Sequence, residues 1–146
     1  MRKLVVLFTL ILIMVSLFAN ERSNTWFVDF DTALAESKRL NRPILINFTG
    51  SDWCVWCHKL ESEVFEQPEF VDYASKSLIL FMADFPRNKE LPEEVIKQNR
   101  GLLQKYEIKG FPTILLIDSN EAVLGTTGYR EIGVRQYINH LNEFLK

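Results

Sequence analysis

Both cysteines of the chain, Cys54 and Cys57, stand in the stretch Trp53-Cys54-Val55-Trp56-Cys57-His58. A dithiol with two intervening residues can close to a disulfide within one helical turn. The chemistry it offers is thiol–disulfide exchange, in which one thiolate attacks a disulfide and the second thiol resolves the mixed product. The stretch follows an apolar run, Pro43 to Phe48, and precedes a helical pattern, so Cys54 is predicted at a helix start. Unpaired backbone N–H groups and the positive dipole end favour an anion there, and a thiolate is the reactive form. Cys54 is therefore read as the nucleophile and Cys57 as the resolving thiol. Glu61 is four residues after Cys57 and seven after Cys54, and helix periodicity puts all three on one side. It could take or relay the proton of Cys57, or be a solvated glutamate beside Glu63 and Glu66. Trp53 is expected to flank the pair as an exposed aromatic for partner contact.

A C-x-x-C can also bind zinc or staple a loop. A structural zinc site needs two further ligands, and only His58 and His140 remain. His58 is adjacent to Cys57 on the helix and reads as solvent-facing, although its charge would help stabilise a nearby thiolate. As a staple, so small a ring contributes only about 2 kcal/mol on the loop-entropy model. No metal and no cofactor is expected. Asn47 is the one polar residue inside the apolar strand, where a side chain must find hydrogen bonds. Its structural reading is favoured, because an amide cannot usefully accept a proton at neutral pH.

The elements that would position these residues follow in order. Thr25 to Phe30 form a short extended lead-in, and Asp31 could cap a helix ended by Asn41 and Pro43. Ile44 to Thr49 is a continuous apolar strand of the kind buried on both faces. Leu60, Val64 and Phe65 carry a helix past the cysteines, Pro68 breaks it, and Glu69 to Ser77 continue it. Leu78 to Ala83 is a strand, then a polar loop leads to a helix opening at Pro92. Gly110-Phe111-Pro112 is a turn before a strand from Thr113 to Asp118, which pairs as a hairpin with Ala122 to Thr127. A helix from Ile132 to Leu145 closes the chain. Helices between early strands and a late hairpin predict an α/β fold, a mixed central sheet with helices on both faces.

Residues 1–20 differ from the rest. Arg2 and Lys3 precede an apolar run from Leu4 to Phe18, and Ala19 is a small residue at a plausible cleavage point. This reads as a secretory signal peptide. The run of about 15 is short for a bilayer span, so an uncleaved membrane anchor is the alternative. Residues 21–146 are expected to form one domain with one core. Removing Arg2 and Lys3 takes the formal charge from −2 to −4, which gives no electrostatic argument for a nucleic acid partner.

Taken together, Trp53-Cys54-Val55-Trp56-Cys57 after an apolar strand and Gly110-Phe111-Pro112-Thr113 before another resemble the thioredoxin superfamily over nearly the whole domain. Within it, Ser51 to Phe70 is similar to the C-terminal thioredoxin-like domain of the bacterial thiol:disulfide interchange proteins, and to small secreted thioredoxin-like proteins. The resemblance implies a thioredoxin fold in which Pro112 is cis beside the disulfide. Its backbone would bind an extended partner segment, with Phe111 tuning partner choice. It also implies a proton role for the acidic residue at Glu61. Two positions depart from typical thioredoxins: Asn47 falls where a buried carboxylate is usual, and Val55-Trp56 replace Gly-Pro.

The expected function is an exported, periplasmic thiol–disulfide oxidoreductase that reduces protein disulfides or relays electrons to them. Outside the cytoplasm it would need a membrane or thioredoxin-like electron donor. The expected state is monomeric. The alternatives are a disulfide oxidase or isomerase, or a non-catalytic module using Trp53, Trp56 and Pro112 to hold a peptide.

Overall fold

The computed structural model describes residues 25–146; the expected leader, with its cleavage or anchoring, lies outside them. The elements run β1 (Trp26–Phe27), α1 (Phe30–Leu40), β2 (Ile44–Thr49), α2 (Val55–Leu60), a π-helical turn (Glu61–Phe65), α3 (Pro68–Ser77) and β3 (Ile79–Asp84). They continue as α4 (Glu93–Lys105), β4 (Thr113–Ile117), β5 (Val123–Thr127) and α5 (Gly133–Glu143). No helix among the described residues is long and apolar enough to cross a membrane.

The strands form one sheet in the order β1-β3-β2-β4-β5. β1, β3 and β2 are parallel, whereas β4 runs antiparallel to β2 and β5 antiparallel to β4. β2 lies at the centre, and every residue in it is buried. Alternation along the strand divides its side chains between two layers. Leu45 packs with Leu60, Val64, Phe70, Tyr137 and Leu141 from α2, the π turn, α3 and α5. Ile44, Ile46 and Phe48 pack with Phe30 and Ala33 of α1 and Leu102 of α4. Burying a side chain such as Phe48 contributes about 2 kcal/mol, and this two-sided core holds the C-terminal end of β2 rigidly under the cysteines.

Local details depart from the expectation where capping and packing decide. α1 is capped by Asp29 rather than Asp31: Asp29 is extended (φ −100°, ψ 118°), and its carboxylate accepts from the Thr32 N–H at 2.7 Å. Phe30, expected in the lead-in, is instead a buried first residue of the helix. Asn41 ends that helix in the left-handed region (φ 51°, ψ 50°), its N–H donating to the Ser37 carbonyl. The helix after the cysteines widens into the π turn at Glu61, ahead of Pro68, which opens α3 at a position where its missing N–H costs nothing.

Candidate active site

The loop from β2 to α2 is built from short-range bonds. The Gly50 carbonyl accepts from the N–H groups of Trp53 (3.2 Å) and Cys54 (2.9 Å). Ser51 donates its N–H and hydroxyl to the two oxygens of Asp84 at 2.9 and 2.6 Å, tying the loop to the end of β3. From α2, His58 Nε2 donates to the Ser51 carbonyl at 2.8 Å, so His58 is exposed but engaged. These ties leave Cys54 extended (φ −89°, ψ 101°) as the N-cap of α2. Its carbonyl accepts from the Cys57 and His58 N–H groups, both at 3.1 Å, and its sulfur from the Cys57 N–H at 3.2 Å.

Cys54 and Cys57 form a disulfide, with Cα atoms 5.2 Å apart. Both cysteines are buried, whereas Val55 and Trp56 between them are 67% and 55% exposed. The cysteines themselves are 5% and 4% exposed, so exposure does not rank them; position does. When two electrons open the bond, the Cys57 N–H already points at Cys54 Sγ. A hydrogen bond to an ionised acceptor is about twice as strong as a neutral one, which favours the Cys54 thiolate.

Trp53 is half-buried rather than exposed. Its indole N–H donates to the Phe85 carbonyl at 2.8 Å, and its ring meets Phe111 edge-on at 5.9 Å. Phe111 in turn stacks on Phe85 at 5.1 Å. The Arg87 guanidinium covers the indole at 3.9 Å. Gly50 lies so close beneath that a Cβ there would fall 2.4 Å from the ring. Asp52 fastens the loop that carries Arg87, accepting from the N–H groups of Arg87 (2.9 Å), Asn88 (2.6 Å) and Lys89 (3.1 Å). These bonds, the Arg87 N–H foremost, hold its carboxyl below the usual carboxylate range.

On the other flank, the exposed Trp56 ring rests against Tyr129 at 5.3 Å. Lys59 Nζ lies 5.3 Å from the first ring and 5.6 Å from the second. Tyr129 donates its hydroxyl to Glu63 at 2.7 Å, and Lys59 stands 3.9 Å from the same carboxylate. Accepting this bond, Glu63 pushes the Tyr129 phenol up to about 12. The Phe111–Pro112 peptide bond is cis. Gly128 packs against it so tightly that a Cβ would lie 3.0 Å from the Pro112 carbonyl oxygen. Tyr137 fixes Gly128 from beneath, donating its hydroxyl to that residue's carbonyl at 2.9 Å. Burial of Tyr137 holds its phenol above the usual range.

Trp53, Cys54, Cys57 and Phe111-Pro112 are thus gathered at one end of the sheet, where β2 ends and β4 begins. Glu61 opens the π turn, its N–H donating to the Cys57 and His58 carbonyls. Its side chain is exposed and has no hydrogen bond or ion pair among the described residues. Asn47 departs from expectation: its Oδ1 is buried and meets no hydrogen-bond donor among the described residues. The residues beside it in the ladder, Met82 and Ile114, offer apolar side chains, and their backbones are committed to the sheet. No cluster able to hold a metal occurs among the described residues. Asp52, Arg87, Lys59, Glu63 and Tyr129 were not singled out from sequence. Asp52, Arg87 and Tyr129 meet partners distant in sequence, whereas Trp56, Lys59 and Glu63 stand at i, i+3 and i+7, a spacing that could have signalled their contact.

Residues 30–141 match the family described as thioredoxin-like domain. The chain is 33% identical over 124 residues to the disulfide bond reductase DsbH of Chlamydia pneumoniae, covering 85% of this chain and 75% of that protein. It is 31% identical over 121 residues to the thiol:disulfide interchange protein DsbD of Cronobacter sakazakii, covering 81% of this chain but only 19% of the relative. A solved DsbH oxidoreductase superposes with a TM-score of 0.80 at 33% identity, covering 83% of each chain. The mixed sheet, the C-x-x-C at the helix start and these likenesses agree, and the chain belongs to the thioredoxin-like domain family.

Proposed function

We propose that the chain is an exported thiol–disulfide oxidoreductase that acts as a reductant or electron relay toward protein disulfides. The observation that carries this reading is Cys54 at the N-cap of α2, with the Cys57 N–H 3.2 Å from its sulfur. In the reduced protein the Cys54 thiolate attacks one sulfur of a partner disulfide, and the partner's other sulfur leaves as a thiolate. The Cys57 thiol passes its proton to Glu61, directly or through water, and Cys57 attacks Cys54 Sγ. The second partner sulfur leaves and is protonated. Two electrons have moved to the partner, and the Cys54–Cys57 disulfide has re-formed. Trp53, Trp56, Phe111 and Pro112 supply the partner contact.

The reductive direction is supported by the relative named a disulfide bond reductase. Export is supported by the character of residues 1–20, and outside the cytoplasm the dithiol is restored by a membrane or thioredoxin-like donor. The protein works as a monomer. The test is insulin reduction with dithiothreitol as donor. Cys54→Ser abolishes exchange while the fold persists, and Cys57→Ser accumulates a mixed disulfide through Cys54. Exchange retained by Cys54→Ser would refute the assignment.

A further inference from the structure

Two tryptophans adjoin the redox cysteines in sequence, Trp53 and Trp56, and each indole carries a cation. On the Trp56 side the charge is compensated, because Lys59 stands 3.9 Å from Glu63. On the Trp53 side it is not. Arg87 is exposed, its guanidinium carbon lies 3.9 Å from the centre of the indole, and among the described residues no carboxylate pairs with it. Asp52, the carboxylate that fastens this loop, is already occupied by the backbone N–H groups of residues 87–89. Glu90, with Lys89 and Arg100, lines a separate cleft of about 450 Å³ to which neither Arg87 nor Trp53 contributes a wall.

A guanidinium stacked through its face keeps its in-plane N–H donors available, and that fork matches a carboxylate. An exposed arginine ordinarily loses rotamer freedom when it forms an ion pair. Here stacking on Trp53 and the Asp52 tether have already ordered it, so little further freedom is lost on binding. Trp53 directly precedes Cys54 and touches Phe111, the residue before Pro112. A carboxylate held by Arg87 therefore belongs to a polypeptide lying across the redox pair.

We propose that Arg87 is a specificity-determining residue. It binds an acidic side chain of the partner polypeptide close to the cysteine that Cys54 attacks, while the Trp56 flank takes an uncharged neighbour. This rests on the exchange function proposed above. Reduction of such a partner converts its disulfide to two thiols and the Cys54–Cys57 dithiol to the disulfide, with dithiothreitol as the reductant in the assay.

The experiment uses two synthetic peptides, each closed by one disulfide and identical except that glutamate or glutamine flanks one cysteine. At low salt the glutamate peptide is reduced with a kcat/KM about two- to fivefold higher, the range of an exposed ion pair. The preference falls to one in Arg87→Gln and shrinks at 0.5 M salt, where the Debye length is only about 4 Å. The substitution leaves the Asp52 tether in place, since that tether uses backbone N–H groups. Binding of the same peptides, with serine for cysteine, to the oxidised protein reads the preference without any exchange. Failure of both peptides to be reduced would overturn the exchange function, while the binding arm still judges Arg87. Equal binding and equal rates for the two peptides, or a preference that survives Arg87→Gln, would overturn the proposal.

Discussion

Gly50→Ala should act as a mutation of Trp53. The Gly50 backbone lies outside the left-handed region, so alanine is compatible with its conformation, and the cost comes from the added methyl alone. That carbon would lie 2.4 Å from Cε2, 2.5 Å from Nε1 and 2.8 Å from Cζ2 of the indole. The loop backbone is held by Asp84 and His58, so the indole is the part that moves. It then loses its bond to the Phe85 carbonyl, about 1 kcal/mol, its edge contact with Phe111, about 0.5–1.5 kcal/mol, and the Arg87 stack, about 0.5–1 kcal/mol. Contacts sharing one ring are not additive, and a net loss of about 2 kcal/mol is expected. Equilibrium urea unfolding of the oxidised protein followed by circular dichroism measures it, within a double-mutant cycle with Trp53→Ala. Once Trp53 is alanine, Gly50→Ala should cost less than about 0.5 kcal/mol, a coupling of about 1.5 kcal/mol. An equal cost in both backgrounds would refute the reasoning, because the clash would then not be with the indole.

Two predictions concern titration. Asp52 has a depressed folded-state value, so its contribution is complete above the ordinary carboxylate value of about 3.9 and is lost as pH falls through the folded one. Backbone N–H resonances of residues 87–89 should hold steady from neutral pH to about 5, and Asp52→Ala at neutral pH should shift them as acid does. Unshifted resonances in that variant would remove Asp52 as the tether. Tyr129 has a raised value, so its contribution is complete below the ordinary phenol value of about 10 and is lost as pH rises toward about 12. A difference titration against Tyr129→Phe, read by tyrosinate absorbance, should place it near 12, and Glu63→Gln should bring it down. A midpoint indifferent to Glu63 would contradict the bond.

Much of the fold was legible because it is written locally. The apolar run Ile44 to Thr49 reads as a two-sided strand, and Cys54, at the change from strand to helical spacing, reads as a helix start; both stand so in the structure. The proline at Pro68 and the turn at Gly110 punctuated the chain where elements do begin. Boundaries decided by one side chain were less legible: Asp29 and Asp31 are equally good caps by type, and burial of Phe30 chooses between them. The half-burial of Trp53 could not be read, since it depends on Phe111 and on a loop fastened to Asp52 across the end of the sheet. The same holds for Trp56, whose neighbour Tyr129 arrives only after the β5 hairpin has folded back.

The most direct measurement is the equilibrium reduction potential of the Cys54–Cys57 couple against dithiothreitol and glutathione buffers, on protein lacking residues 1–20. A reductant toward protein disulfides should lie near the reducing end, about −270 mV as for thioredoxin; a value near −120 mV would make the protein a disulfide-forming oxidant and contradict the account.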